Sequence, residues 1–346
     1  MVYDRLYTTR TKRPLLKSSI LLSDESPENL PELIRLRKRL KRIYELKVDP
    51  LQDDLFLVQI QKEVWGKSVS GHVIIDQGTR GSWIAYTDES GYFVRRVLEP
   101  LFNGLYPDVA RVYFNYLQIQ EFLKAIDEAY RGSSVVTYVA YKRQPRGEEE
   151  QPIGTRLLWE AGADEDLKKY ARQYRLWIDS LTFQVKDQDG MVALEASLTG
   201  RGVARLRFGT FSDFYHNVIQ LYIGLATRWK NFFSDRERRL EEGKVNLRPY
   251  LLQYPFGLEK TQIEDLIVNL RGSYSYSILF GGNPYFAANL TDYQDGSSFY
   301  LTILGGKVTI TPMLRSTPYA LWRIASRVQR VVGEGDILDV PRVPEA

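Results

Sequence analysis

Leu33, Leu36, Leu40 and Ile43 recur at three- and four-residue intervals, and this apolar seam predicts a helix over 31–47. Ser26 or Asn29 is placed to cap it, and Pro31 fits its first turn. From residue 55 the pattern turns to strands. Stretches 55–64, 71–77 and 82–88 are separated by the turns Ser70-Gly71 and Gly78-Thr79-Arg80-Gly81. Residues 92–105 read as helix, 111–115 as strand, 117–130 as helix and 134–141 as strand.

Further along, a short helix at 165–174 precedes strands at 177–186, 192–198 and 203–208 and a long helix at about 211–236. That helix carries a wide stripe that includes Phe211, Phe214, Val218, Tyr222, Leu225, Trp229 and Phe233. Thr210 or Ser212 stands at its N-cap, and Asp213 suits the positive end of its dipole. The last third repeats the plan: helix 259–270, strands 274–280, 285–290, 298–304 and 307–312, then a helix over 317–333 stopped by Gly333. The chain thus runs short helix, antiparallel meander, long helix twice, with a weaker version in 71–130.

The expected fold class is α+β, with antiparallel meanders each packed against a long amphipathic helix, in two domains. A basic arm and helix occupy 1–47, an N-terminal α+β domain 48–145, and a C-terminal α+β domain with two meander-plus-helix units 155–346. The stretch 143–154, with two Pro, two Gly and an acidic triplet, is the linker candidate.

Composition removes several chemistries. Among 346 residues there is no Cys, so disulfides, thiol nucleophiles and Fe–S clusters are excluded. Two His, His72 and His216, are too few for a multi-His metal centre, and no cofactor is expected. No run approaches the ~20 apolar residues of a membrane span, and the N-terminal stretch lacks the apolar core of a secretion signal. A cytoplasmic location without a membrane partner is the expectation. Three Met, no Cys, and 31 Arg against 16 Lys fit a thermophilic prokaryote; a GC-rich genome raises Arg as well.

The net charge of +4 is unevenly spread: residues 1–47 carry +6, 48–200 carry −6 and 201–346 carry +4. Such a division marks either a basic arm for nucleic acid or an arm that docks on the chain's own acidic middle.

No nucleotide-binding motif is present. Leu304-Gly305-Gly306-Lys307 is followed by strand residues and reads as a hairpin turn, as does Gly281-Gly282-Asn283-Pro284. There is no GxSxG elbow; His216 reads as a partly buried helix residue and His72 as structural. Asp53 with Asp54, Asp76 with Asp88, and Asp179 with Asp187 and Glu195 are the carboxylate sets that a metal-dependent hydrolase would use, although no Glu-x-Lys ends a strand.

The strongest signal is basic. Arg35, Arg37, Arg39 and Arg42 crowd the first helix, Arg228 lies on the aromatic helix, and Arg323, Arg327 and Arg330 share one face of the last at i, i+4, i+7. Guanidinium forks match phosphate geometry, and Tyr274, Tyr276, Tyr285, Tyr293 and Tyr300 offer rings for stacking. The expected function is a non-enzymatic accessory subunit that binds nucleic-acid backbone through these arginines. The alternatives are a protein-binding scaffold of a multiprotein complex, such as a prokaryotic defence or mobile-element assembly, and the metal-dependent hydrolase.

Overall fold

The computed structural model describes residues 16–77, 81–130, 134–143, 154–158, 176–187, 189–237, 239–241, 244–246, 248–282 and 285–338. In chain order these form β1 (Leu16–Leu22), α1 (Leu30–Leu36), α2 (Lys38–Lys41), β2 (Tyr44–Gln52), β3 (Leu55–Val64), β4 (Lys67–Asp76), β5 (Ser82–Thr87) and α3 (91–104). There follow β6 (Ala110–Arg111), α4 (Tyr116–Ala129), β7 (Ser134–Arg143), β8 (Gly154–Leu158), β9 (Leu176–Lys186), β10 (Val192–Thr199), β11 (Val203–Phe208) and α5 (211–234). A small ribbon, β12 (Arg239–Glu241) and β13 (Lys244–Asn246), leads to β14 (Tyr250–Gln253) and α6 (Lys260–Leu270). The chain closes with β15 (Tyr274–Gly281), β16 (Tyr285–Asp292), β17 (Ser298–Leu304), β18 (Lys307–Pro312), α7 (Pro318–Val332) and β19 (Asp336–Leu338). The fold is α+β with antiparallel sheets.

One plan recurs. In the larger sheet the order is β2-β3-β4-β5-β1-β11-β10-β9-β7-β8, with β6 also on β1; the smaller runs β15-β16-β17-β18-β14-β19. In each, the strand before the short helix (β1 or β14) returns beside the last strand of the meander (β5 or β18). The strand after the long helix (β6 or β19) then pairs on its other side. Between them the chain runs through β6, α4, the strands β7 to β11, and α5, and the weaker grouping read at 71–130 crosses from β4 and β5 through α3 into β6 and α4. β1 joins the two parts of the larger sheet by pairing with both β5 and β11. The stretch 143–154 connects the antiparallel pair β7 and β8, whose register runs from Tyr138↔Leu158 to Lys142↔Gly154. The helix expected at 165–174 lies outside the described residues.

The helix expected over 31–47 is corrected. It stops at Arg37, whose backbone is extended (φ −105°, ψ 98°), resumes for one turn, and gives way to β2 at Tyr44. The cause is a change of period: Tyr44, Leu46 and Val48 alternate with Glu45, Lys47 and Asp49, and β2 pairs with β3 from Tyr44↔Lys62 to Gln52↔Leu55. Of the expected seam, Leu33 and Leu40 are buried and Ile43 partly so, but Ile34 takes the inward place and Leu36 is 71% exposed. The strand expected at 111–115 is likewise shorter, at Ala110–Arg111.

Two cores result. On one face of β3 to β5, Val58, Ile60, Val73, Ile75, Trp83 and Ala85 pack with Leu33 and Leu40 and with Phe93, Val97, Leu101 and Phe102 of α3. The larger core runs from β1 through α5 and α7 into the second sheet. There Phe233 of α5 stacks on Trp322 of α7, centroids 5.3 Å apart, and Phe114 packs on Tyr222 at 4.6 Å. Aromatic rings bury large areas and gain further from such pairing. Both α3 and α5 contain a π-helical turn near the start, at Val94–Leu98 and Phe214–Ile219. Such turns rotate the following residues relative to those before them.

Candidate nucleic-acid interface

The eight arginines singled out by sequence do not form one surface. Arg323 lies mostly buried, pairs with the carboxylate of Asp292, bonds to Gln294 and stacks on Tyr106. Arg327 donates from Nε and an Nη to the carbonyl of Asn269, at 3.2 and 2.7 Å, near the end of α6. Arg330 is half-buried. Arg228 pairs with Glu121 of α4, whose carboxyl burial holds above its ordinary value, with Arg228 partly offsetting this. Arg37 bonds to Asp108 and to the carbonyl of Leu105, at 2.9 Å for the latter. These contacts tie elements together. Arg35, paired with Glu32 at 3.1 Å, and Arg39 and Arg42 remain exposed.

Around Arg39 the fold assembles cations that spacing alone did not connect. Lys62 of β3 donates to the carbonyl of Arg96 at 2.6 Å and sits 4.9 Å from the centre of the Tyr44 ring. Partial burial lowers the Lys62 pKa, and the charges of Arg39 and Arg96 push it further the same way. Next along α3, Arg95 faces Arg205 of β11. Burial, then the charges of Arg207 and Arg95, lower the Arg205 pKa, while Glu99 works against them. At Lys62 and Arg205, burial and then neighbouring cations act in the same direction, and an anion placed there would relieve both effects.

Trp65 stands at this surface. Trp65 and Gly66 form the two-residue turn between β3 and β4, closed by the pair Val64↔Lys67, with φ of 51° and 72°. Positive φ at both central residues is the hairpin-compatible geometry, suited to Asn-Gly or Gly-Gly. A Trp there is uncommon and disfavoured. Its ring is 77% exposed and joins neither core; the Arg96 guanidinium lies 4.8 Å from its centre.

The other sequence candidates divide. Tyr274 is buried, and Tyr276 accepts a 2.7 Å bond from Arg271. Tyr285 and Tyr300 meet hydroxyl to hydroxyl at 3.5 Å on the outer face of the second sheet, and Tyr293 is 66% exposed. Asp187 accepts from the backbone of Asp189 and Met191 in a turn, while Glu195 accepts from Gln184 and faces Arg207 at 3.7 Å. His72 lies between Glu89, at 3.1 Å, and Asp88, at 3.6 Å. His216, expected partly buried, is exposed because α5 presents it on the side away from Phe214 and Val218. Among the described residues no group of three or more His, Asp or Glu is arranged to hold a metal ion. No helix there is long and apolar enough to cross a membrane. No protein-family model matches this chain, and no curated protein matches it in sequence.

Proposed function

We propose that this protein is a nucleic-acid-associated accessory subunit that works by binding rather than catalysis. The observation that carries this reading is the juxtaposition at α3: Trp65, at positive φ and out of both cores, has the Arg96 guanidinium over its ring, and Arg96 together with Arg39 acts on Lys62 of β3. Phosphates meet the cations, and an unpaired base stacks on the indole ring, the combination that single-strand binders use. Beside Arg96 on α3, Arg95 carries the basic surface on toward Arg205 of β11. The 260/280 nm absorbance ratio of the purified protein, before and after a high-salt wash, tests the reading. A ratio raised at low salt and falling to that of pure protein supports it. No binding of any nucleic acid at ~50 mM salt, where the electrostatic contribution is large, removes it.

A second reading, a protein-binding scaffold, is favoured by β15. This strand is the free edge of the six-stranded sheet among the described residues, and Ile278, Leu279 and Phe280 on it are all at least half exposed. An exposed apolar edge is a template for strand addition by a partner.

A further inference from the structure

The β2–β5 sheet buries one face beneath α1 and α3. On its other face, under the first turn of α5, lies a cavity of about 470 Å³ walled by Leu16, Leu51, Leu55, Ile74 and Phe211. That volume falls within the range of small-molecule sites, which are mostly apolar with a few placed polar groups. Leu51 and Ile74 also line an open trough across the same face, which gives a ligand a way in.

One polar group on the wall is unmatched. Tyr86 of β5 is 6% exposed, and among the described residues its hydroxyl has no hydrogen-bond partner. Burial, then the charges of Asp76 and Tyr215, hold its pKa well above the ordinary phenol value, so it stays protonated and keeps a proton to donate. A buried donor without an acceptor is costly, and each one in a native fold calls for a partner. Phe211 meets the Tyr86 ring edge-on at 5.6 Å and holds it against α5. The other polar groups of the wall offer no charge to a ligand. Asp76 accepts from the hydroxyl of Tyr215 and is engaged further within the fold. Gln52 is exposed and uncharged.

We infer that this cavity binds a neutral, mostly apolar molecule carrying one hydrogen-bond acceptor, of which a ketone or ester oxygen is the simplest. The acceptor receives the Tyr86 hydroxyl's hydrogen bond, and the hydrocarbon body lies among Leu16, Leu51, Leu55 and Ile74. Water can meet the hydroxyl but leaves the apolar wall wet, whereas such a molecule satisfies both. An ammonium or carboxylate would give up its hydration shell for a wall with no counter-charge open to it, which disfavours ions of either sign. The site is separate from the basic surface at α3 and does not depend on the nucleic-acid reading.

Calorimetric titration tests the assignment with three probes of nearly one shape: 4-phenylbutan-2-one, 3-phenylpropanoate and 4-phenylbutan-2-amine. The wild type is expected to bind the ketone at least about 10-fold more tightly than either ion. Tyr86→Phe, which keeps the ring and its packing, should weaken ketone binding about 3–10-fold. Leu55→Trp, at a half-buried position on the cavity wall, should abolish ketone binding, and it keeps the test open if Tyr86→Phe fails to fold. Ketone binding unchanged by Tyr86→Phe overturns the assignment and leaves water as the hydroxyl's partner. Ketone binding unchanged by Leu55→Trp overturns it as well. So does either ion binding as tightly as the ketone, or no binding of the ketone up to its solubility limit.

Discussion

The guanidinium of Arg323 lies 4.2 Å from the centre of the Tyr106 ring and pairs with the buried carboxylate of Asp292. Tyr106 in turn donates to Asp295 at 2.9 Å and meets the hydroxyl of Thr317, the residue that caps α7. One cation thus fastens α7 to the loop after α3 and to the end of β16. Removing one member of a buried pair strands the other's charge, at roughly 3–5 kcal/mol. Arg323→Gln is therefore expected to lower unfolding free energy by about that much in urea titration. In the range where the variant is folded, the salt dependence of nucleic-acid binding should match the wild type's.

The interrupted first helix makes a paired prediction. Leu40 is 5% exposed and so close to Gly104 of α3 that a Cβ added there would meet a Leu40 methyl at 2.7 Å, whereas Leu36 projects into solvent. Leu40→Ala should cost about 2–5 kcal/mol. Leu36→Ala should stay within about 0.5 kcal/mol of the wild type. Equal costs in thermal melts would mean that the break at Arg37 is absent in solution.

Glu121 sets a pH dependence whose sign follows from its burial. Its folded pKa is raised, because burial penalises the carboxylate more than Arg228 and the indole of Trp229 favour it. A raised pKa gives stability that is complete below the unfolded carboxylate value and is lost as pH rises through the folded one. The stability of the wild type relative to Glu121→Gln should therefore be greatest near pH 4 and decline toward pH 7. Denaturant titrations at several pH values measure this, and a relative stability that climbs with pH would reverse the assignment.

Trp65→Ala should leave the melting temperature within a degree or two, because the ring joins neither core. Binding to single-stranded oligonucleotides should weaken by about 1–3 kcal/mol, the worth of one stacked base. Fluorescence anisotropy reads the affinity. Unchanged affinity would make the exposed indole a bystander.

Much of the fold is legible in the sequence where one period holds for the length of an element. α6, β17, β18 and α7 lie within a residue of the expected bounds, since their apolar spacing, Pro318 and Gly333 all agree. The first helix misleads because Leu36, Leu40 and Ile43 keep a helical interval across Arg37, while the strand period from Tyr44 is set by pairing with β3, a long-range interaction. The basic surface is only partly legible. Arg39 stands out in a charge run, but Lys62, Arg95, Arg96 and Arg205 come from β3, α3 and β11, and only tertiary structure joins them. Conversely, Arg323 and Arg327 share a helical face that reads as solvated until Asp292 and the Asn269 carbonyl come to meet them. The clue available in sequence was Trp65 before Gly66 between two strand patterns: a large ring where hairpin geometry favours small or polar residues.

The most direct measurement is the salt dependence of nucleic-acid affinity, log K against log salt, for the wild type and for a variant carrying Arg39→Gln, Lys62→Gln and Arg96→Gln. Each phosphate contact on a single strand contributes about −0.7 to the slope. The triple variant is expected to fold normally and to flatten the slope by about 2 units, if the three cations each meet a phosphate. An unchanged slope in the folded variant would contradict the placement of nucleic acid on this surface.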